Sequence, residues 1–314
     1  MRPQADTAPV FPPISPAALA AWQAHGRFGA FAGHRVFARV EDRQGDTRPW
    51  LLLIHGFPTA SLDWHPLWQA LSEDFNLLAP DLLGFGFSDK PARHDYRIAE
   101  QADLIEHWCT ALGVTQMHVV AHDYGVTVAQ ELLARDREHA ALGETKRLRS
   151  IVFLNGGLFP ESHRPRAIQK LLLTPLGPLL SRLLTKRGFA RSFMAIFGPA
   201  TRPGADEIDA FWTLVAHQDG QRIAHRLMRY VPERTQHRER WVGALLATTM
   251  PMRLINGARD PVSGAHMAAR FRELIHGADV VWLDEIGHYP QVEAPSRVYA
   301  SLCNFWRRIG AMAP

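Results

Sequence analysis

The sequence predicts an α/β protein: a mostly parallel, doubly wound sheet with an α-helical cap inserted into it. Three observations carry this. Short apolar runs recur at Trp50–Ile54, Phe75–Pro80, Met117–Ala121, Arg149–Leu154, Met252–Asn256 and Asp279–Leu283. Apolar runs without polar alternation are the mark of strands buried on both faces. Helical patterns separate these runs, which implies parallel neighbours with helices on both faces of the sheet. Between Leu158 and Ala247 the alternation stops, and that stretch holds helical patterns, prolines and glycines but no convincing strand.

In chain order, Gly26 to Glu41 alternates around Gly33-His34 and predicts a β-hairpin. Arg43 to Pro49 is a polar turn. The Trp50–Ile54 strand ends at His55-Gly56-Phe57-Pro58, and a helix follows over Trp64–Leu71. The next strand ends at Pro80, before Asp81-Leu82-Leu83-Gly84-Phe85-Gly86-Phe87-Ser88. That glycine loop lacks the third glycine and the helix start of a dinucleotide fingerprint. A helix over Ile98–Leu112 precedes the Met117 strand. After the insert, helices are expected over Gly264–Ile275 and Pro295–Ile309.

The chain has 314 residues, 46% hydrophobic and 21% charged. That is enough for one large α/β domain with an insertion, or for two small domains. The expected division is a flexible lead over 1–22, a sheet domain from 23–157 and 248–314, and a helical cap over 158–247. The formal net charge is +4, and no basic stripe interleaves with aromatics, so a nucleic-acid partner is not expected. Cys109 and Cys303 make no disulfide framework and fit a reducing cytoplasm. Both fall in helical patterns and read as buried structural thiols. Met1 to Pro16 lacks the basic start and apolar core of a signal peptide and reads as a disordered lead-in. No apolar run is long enough to span a bilayer. Leu171 to Leu184 is leucine-rich with Pro175 and Pro178 inside it. A cap helix lining an apolar pocket is favoured there over membrane docking. The expectation is a cytoplasmic monomer or homodimer acting on a small apolar substrate, with no stable membrane insertion.

The chemistry centres on Ala121-His122-Asp123-Tyr124-Gly125, where a Val-rich strand meets a helix through a small-residue turn. That is the setting of a nucleophile elbow. Small residues are needed because strand and helix backbones pass close together. Ala121 stands where the usual motif has Gly, and Asp123 stands where it has Ser. A bland reading of Asp123 is a helix N-cap. Active sites of open parallel sheets lie beyond the C-terminal strand ends. Those ends carry Asp123, Asp260 and His288 in the chain order nucleophile, acid, histidine. Asp260 before Pro261 also fits a simple turn. Glu285 is a rival orienter of His288, though too close in sequence unless it folds back. Asn155, after another strand end, cannot supply a negative charge. The histidines show no metal-ligand spacing, so neither metal nor cofactor is expected.

His55-Gly56-Phe57-Pro58 matches the HGxP motif of epoxide hydrolases, and His122-Asp123-Tyr124-Gly125 resembles their His-Asp-Trp-Gly. The chain thus resembles the α/β-hydrolase fold, in the branch of epoxide hydrolases and haloalkane dehalogenases. It is similar above all to the mesoderm-specific transcript protein family, through His55–Trp64, Asp81–Pro91, His122–Gly125, Asn155–Pro165, Arg240–Leu245 and His288–Gln291. The resemblance implies a hydrolase core with a helical cap.

An aspartate nucleophile is already ionised and can displace a leaving group at saturated carbon, giving an ester on Asp123. Water activated by His288, itself oriented by Asp260, would then attack that ester. The backbone N–H groups of Phe57 and Tyr124 are the expected oxyanion hole, supplying about 3–4 kcal/mol per donor. Pro58 offers no competing N–H and suits a cis bond. His55, Pro58, Trp64, His122 and Trp212 are the expected pocket residues. Epoxide hydrolases place tyrosines in the cap to protonate the opening oxygen, and the cap here holds one, Tyr230. Dehalogenases usually carry Trp after the nucleophile and Asn or Glu after His-Gly. The positions here are Tyr124 and Phe57, although Trp64, Trp212 or Trp241 could offer an indole N–H. Epoxide hydrolysis to a diol is therefore the leading reading. Carbon–halogen hydrolysis by the same ester mechanism and a non-turnover binding protein are the alternatives.

Overall fold

The computed structural model describes residues 9–43 and 47–312. The chain enters its sheet through the expected hairpin, β1 (Gly26–Phe31) and β2 (His34–Glu41). Ala32 and Gly33 turn it at positive φ, 48° and 81°, as a tight hairpin requires. Six further strands follow: β3 (Trp50–Ile54), β4 (Asn76–Pro80), β5 (Met117–His122), β6 (Leu148–Leu154), β7 (Met252–Gly257) and β8 (Val280–Leu283). They form one eight-stranded sheet in the order β1-β2-β4-β3-β5-β6-β7-β8. The hairpin pairs are antiparallel, as is β2 with β4, and the rest of the sheet is parallel.

Both faces of the sheet are covered, which explains the apolar runs. Leu52 and Ile54 of β3 pack into one half of the core, and Leu51 and Leu53 into the other. The first half is closed by α3 (Ile98–Ala111), α4 (Tyr124–Ala141) and α12 (Ala265–Leu274), the second by α1 (Pro16–Ala24), α2 (His65–Ser72), the short α13 (Pro290–Glu293) and α14 (Pro295–Arg308). Cys109 and Cys303 are buried and free, on α3 and α14. Helix α1 corrects the expectation of a flexible lead through residue 22. Ser15 caps it, Ile14, Leu19 and Trp22 are buried, and the Trp22 indole donates to Ser61 at 3.0 Å. A stretch that buries a tryptophan and two aliphatic side chains gains enough to offset its ordering. The part of that lead over residues 1–8 lies outside the described residues.

Between β6 and β7 every described element is helical: α5 (Ala167–Leu172), α6 (Gly177–Arg182), α7 (Lys186–Met194), α8 (Ala205–Ala216), the short α9 (Ala224–Leu227), α10 (Tyr230–Gln236) and α11 (Arg238–Ala247), with 3-10 turns. Helix α11 packs along α4, so the end of this insert joins the layer that covers the sheet. Its lock is Glu131 of α4. That buried carboxylate accepts from Arg240 Nε and the Trp241 indole, both at 2.7 Å, and from Arg135 Nε at 2.9 Å. Burial alone would raise its pKa, but these donors hold it below the usual range.

Candidate active site

At the end of β5 the chain turns so sharply that Asp123 adopts φ 45° and ψ −106°, a region costing a non-glycine residue about 1–3 kcal/mol. Gly125 shows what enforces the turn. A Cβ there would stand 2.6 Å from the His55 carbonyl oxygen and 2.7 Å from that of Ile54. The Asp123 side chain makes no cap hydrogen bond to α4, which removes the N-cap reading. Its Oδ2 instead accepts from the Phe57 N–H at 3.0 Å. The Phe57–Pro58 bond is cis.

Asp123 Oδ1 lies 3.6 Å from His288 Nε2, and His288 Nδ1 lies 2.7 Å from Asp260 Oδ2. Asp123, His288 and Asp260, from three strand ends, thus meet in one cluster. Burial disfavours the His288 cation, but Asp260, then Asp123 and Glu293, outweigh it and raise its pKa to about 9. Burial likewise opposes charge on Asp260. The His288 charge and hydrogen bond, with those of Ser263 and Val262, overcome it and hold the carboxyl far below the usual range. Glu285 is exposed and pairs with Arg259 at 3.1 Å, so it does not orient His288.

Several residues of the site had no role assigned from the sequence. Asn155 Nδ2 donates to Asp260 Oδ2 at 2.9 Å and to the Gly257 carbonyl at 3.0 Å, while its Oδ1 accepts from Gly257 N at 2.6 Å. Ser263 Oγ adds a 2.7 Å bond to the same carboxylate oxygen. Glu293 braces the His288 loop, accepting from Gly287 N and Tyr289 N, both at 2.9 Å, and from Gly198 N of the insert at 2.8 Å. A strand-end amide was visible in the sequence. Its use as a second support for the acid depends on β6 lying beside β7.

A cavity opens over Asp123 and His288, walled by Phe57, Pro58, Phe189 and Phe193, with an empty volume of about 540 Å³. It shares Phe57, Pro58, Ile168 and Phe189 with a second chamber of about 770 Å³, lined by Leu172, Leu180, Leu184, Leu214 and Leu227. The space is predominantly aliphatic and aromatic. Lys90, with its ammonium on the Gly86 carbonyl, lines the second chamber; burial pushes its pKa down to about 8, against the charges of Asp81 and Asp89.

Of the expected pocket residues, Pro58 lines both chambers. The others require correction. His55 is fully buried, with Nδ1 at the Gly56 carbonyl and Nε2 accepting from Leu82 N at 3.0 Å. Trp64 lies wholly in the core beside α2. His122 sits behind the triad and donates from Nε2 to the His288 carbonyl at 2.7 Å. Its burial, reinforced by His288, lowers its pKa to about 3. Trp212 is half-buried, its ring 5.6 Å from that of Phe189, and it is not part of either cavity wall. These side chains are large and apolar-bodied, and the sheet draws them into its core layers in place of the open space above.

Tyr230, the expected proton donor, is buried on α10 with its ring 4.7 Å from that of Tyr124, and it is not part of either cavity wall. Its hydroxyl has no hydrogen-bond partner. Burial, then the charge of Asp123, pushes this phenol up, so it stays protonated. Arg234 stands 4.4 Å over the ring, with its Nε on Thr127 and both terminal nitrogens unpartnered. Tyr124 places its N–H at the start of α4, next to Asp123, and sends its own hydroxyl to the Tyr96 carbonyl at 3.3 Å. The indole of Trp241 is occupied by Glu131.

Three comparisons bear on this arrangement. The alpha/beta hydrolase fold family matches residues 49–295. The chain is 39% identical over 291 residues to the mesoderm-specific transcript homolog protein of Bos taurus, covering 90% of this chain and 86% of that protein. It is 41% identical over 279 residues to LipZ of Mycobacterium tuberculosis, covering 89% and 94% respectively. Among solved structures, haloalkane dehalogenase DbeA from Bradyrhizobium elkani aligns with a TM-score of 0.75 over 91% of this chain and 98% of that chain, at 24% identity. At that identity the likeness concerns the fold.

Proposed function

This chain belongs to the α/β-hydrolase fold family, and we propose on that premise that it is a hydrolase using Asp123 as nucleophile, opening epoxides to diols. One observation carries the reading. Asp123 at the elbow does not cap its helix; it lies between the Phe57 N–H and the His288 imidazole, facing the cavity.

The steps follow from that placement. Oδ1 of Asp123 attacks a ring carbon, and the carbon–oxygen bond breaks with its electron pair going to the ring oxygen. That oxygen takes a proton from Tyr230, leaving a hydroxyalkyl ester on Asp123. Ester formation removes the Asp123 charge, one of those that raise the His288 pKa; the imidazolium then gives its proton to solvent, to be regained when Asp123 is again ionised, and the neutral imidazole acts as base. His288 Nε2 removes a proton from water as the water oxygen attacks the ester carbonyl carbon. The Phe57 N–H holds the oxyanion on Oδ2, with the Tyr124 N–H as its partner. The intermediate collapses to the diol, which leaves with the proton from His288. The proton freed as Asp123 returns to carboxylate restores Tyr230.

The disposition of the indoles speaks against a halide site, while Tyr230, the proton donor of the epoxide reading, also stands outside both cavity linings. Trp241 is already bound to Glu131, Trp64 is inside the core, and Trp212 is off the cavity wall. The test is a panel of epoxides and haloalkanes scored for diol, alcohol and halide, with turnover in ¹⁸O-labelled water. The expected result is diol formation with label incorporated into the Asp123 peptide. Label found only in product after repeated turnover would exclude the ester, and halide release without diol would replace the substrate class.

A further inference from the structure

Large apolar side chains are exposed at ten places among the described residues, and six of the ten lie between 168 and 183: Ile168, Leu171, Leu173, Leu176, Leu179 and Leu183. Scattered exposed leucines need no explanation, but a cluster on one surface does. Five of the six form the outer side of α5 and α6, while Ile168 also lines both chambers. Leu176, Leu179 and Leu183 follow spacings of three and four residues, so they share a face. Leu180 and Leu184, one position on, turn inward to the apolar chamber, as does Leu172. The same short helices thus wall the cavity on one side and present leucine to solvent on the other.

The charge around this face is one-sided. From Ser162 to Ala205 the chain carries eight Arg and Lys and no Asp or Glu. Lys170, Arg182, Arg187 and Arg191 are exposed and make no ion pair among the described residues, whereas Lys186 pairs with Asp209. No helix among the described residues is long and apolar enough to cross a membrane. An aliphatic face rimmed by unpaired cations is the composition of segments that lie in a bilayer interface. A second copy of the chain fits less well, because a two-fold contact would bring like charges together. Protein interfaces favour aromatic anchors, and this face has none.

We propose that the outer face of α5 and α6, with the basic start of α7, docks the protein peripherally on anionic phospholipid, placing the apolar chamber next to the bilayer. This proposal is independent of the reaction assigned above. The test is co-sedimentation of the full chain with phosphatidylcholine vesicles, with and without phosphatidylglycerol. The expected result is partition onto the anionic vesicles, weakened by salt and by omission of phosphatidylglycerol. Leu176→Ser, Leu179→Ser and Leu183→Ser together should lower partition roughly a hundredfold, with circular dichroism and thermal unfolding unchanged. Lys170→Gln, Arg182→Gln and Arg187→Gln should each lower it about fivefold at low salt. The proposal is overturned if the parent stays in the supernatant with anionic vesicles, or if the triple leucine variant binds as the parent does. It is also overturned if the leucine substitutions abolish a dimer and leave lipid binding intact.

Discussion

Asn155 and His288 converge on a single oxygen: Asp260 Oδ2 receives the amide Nδ2 at 2.9 Å and faces the imidazole Nδ1 at 2.7 Å. The amide fixes the carboxylate from the β6 side, so the imidazole meets an acid that is already oriented. Asn155 is therefore a positioning residue. Asn155→Ala removes a hydrogen bond to a charged group, worth about 1.5–3 kcal/mol. Hydrolysis of the Asp123 ester is expected to slow by about 10–150-fold, while ester formation stays near the parent rate. Single-turnover mass spectrometry separates the two steps, and an equal loss in both would remove this role.

The His288 pKa is raised from 6.5 to about 9 in the folded chain. A group whose folded pKa lies above its unfolded value contributes stability that is fully present below the unfolded pKa. That contribution is lost as pH rises through the folded value. The difference in unfolding free energy between the parent and His288→Gln should therefore be largest below about 6.5 and shrink through about 9. Denaturant titrations at several pH values measure it. A difference that grows with pH would contradict the charged pair.

Tyr230→Phe keeps the ring against Tyr124 and removes a hydroxyl that has no partner in the folded chain. Stability should change little. An alkoxide leaving group needs a proton, so epoxide turnover should fall roughly 10²–10⁴-fold. Ester formation from a haloalkane needs none and should be unaffected. An unchanged epoxide rate would place the acid elsewhere.

Glu131→Ala should loosen the insert from α4 without touching the triad. It leaves Arg240, Arg135 and the Trp241 indole without their shared acceptor. Breaking a buried pair costs about 3–5 kcal/mol, and the partial exposure of Arg240 and Arg135 reduces this to about 2–3 kcal/mol. Guanidinium unfolding is the measurement, and a loss below about 0.5 kcal/mol would mean that the network is merely a surface one.

Residues that act through their own stretch of chain were readable in advance. The β3 run, the Gly125 turn and the hairpin at Gly33 all announce themselves within a few residues. So do the three strand-end groups Asp123, Asp260 and His288, because a polar residue in the loop that follows a buried strand is carried to the same edge of the sheet. Neither Trp64 nor His122 could be placed the same way. Each lies near a strand end, yet one is drawn into the core and the other beneath the triad. Helix α1 escaped notice because a Pro- and Ala-rich stretch looks disordered until its tryptophan finds Ser61.

By itself the sequence determined the strand–helix rhythm, the sharp elbow and the types of chemical group at the strand ends. Those follow from periodicity, from glycine conformation and from side-chain chemistry, all local in the chain. Only the tertiary structure decided which groups meet. The Phe57 N–H reaches Asp123 across 66 residues, and Asn155 reaches Asp260 across 105. It also chose Asp260 over Glu285, and turned the leucines of α6 alternately to the cavity and to solvent. Contacts of that separation depend on strand order and packing, which no local pattern encodes.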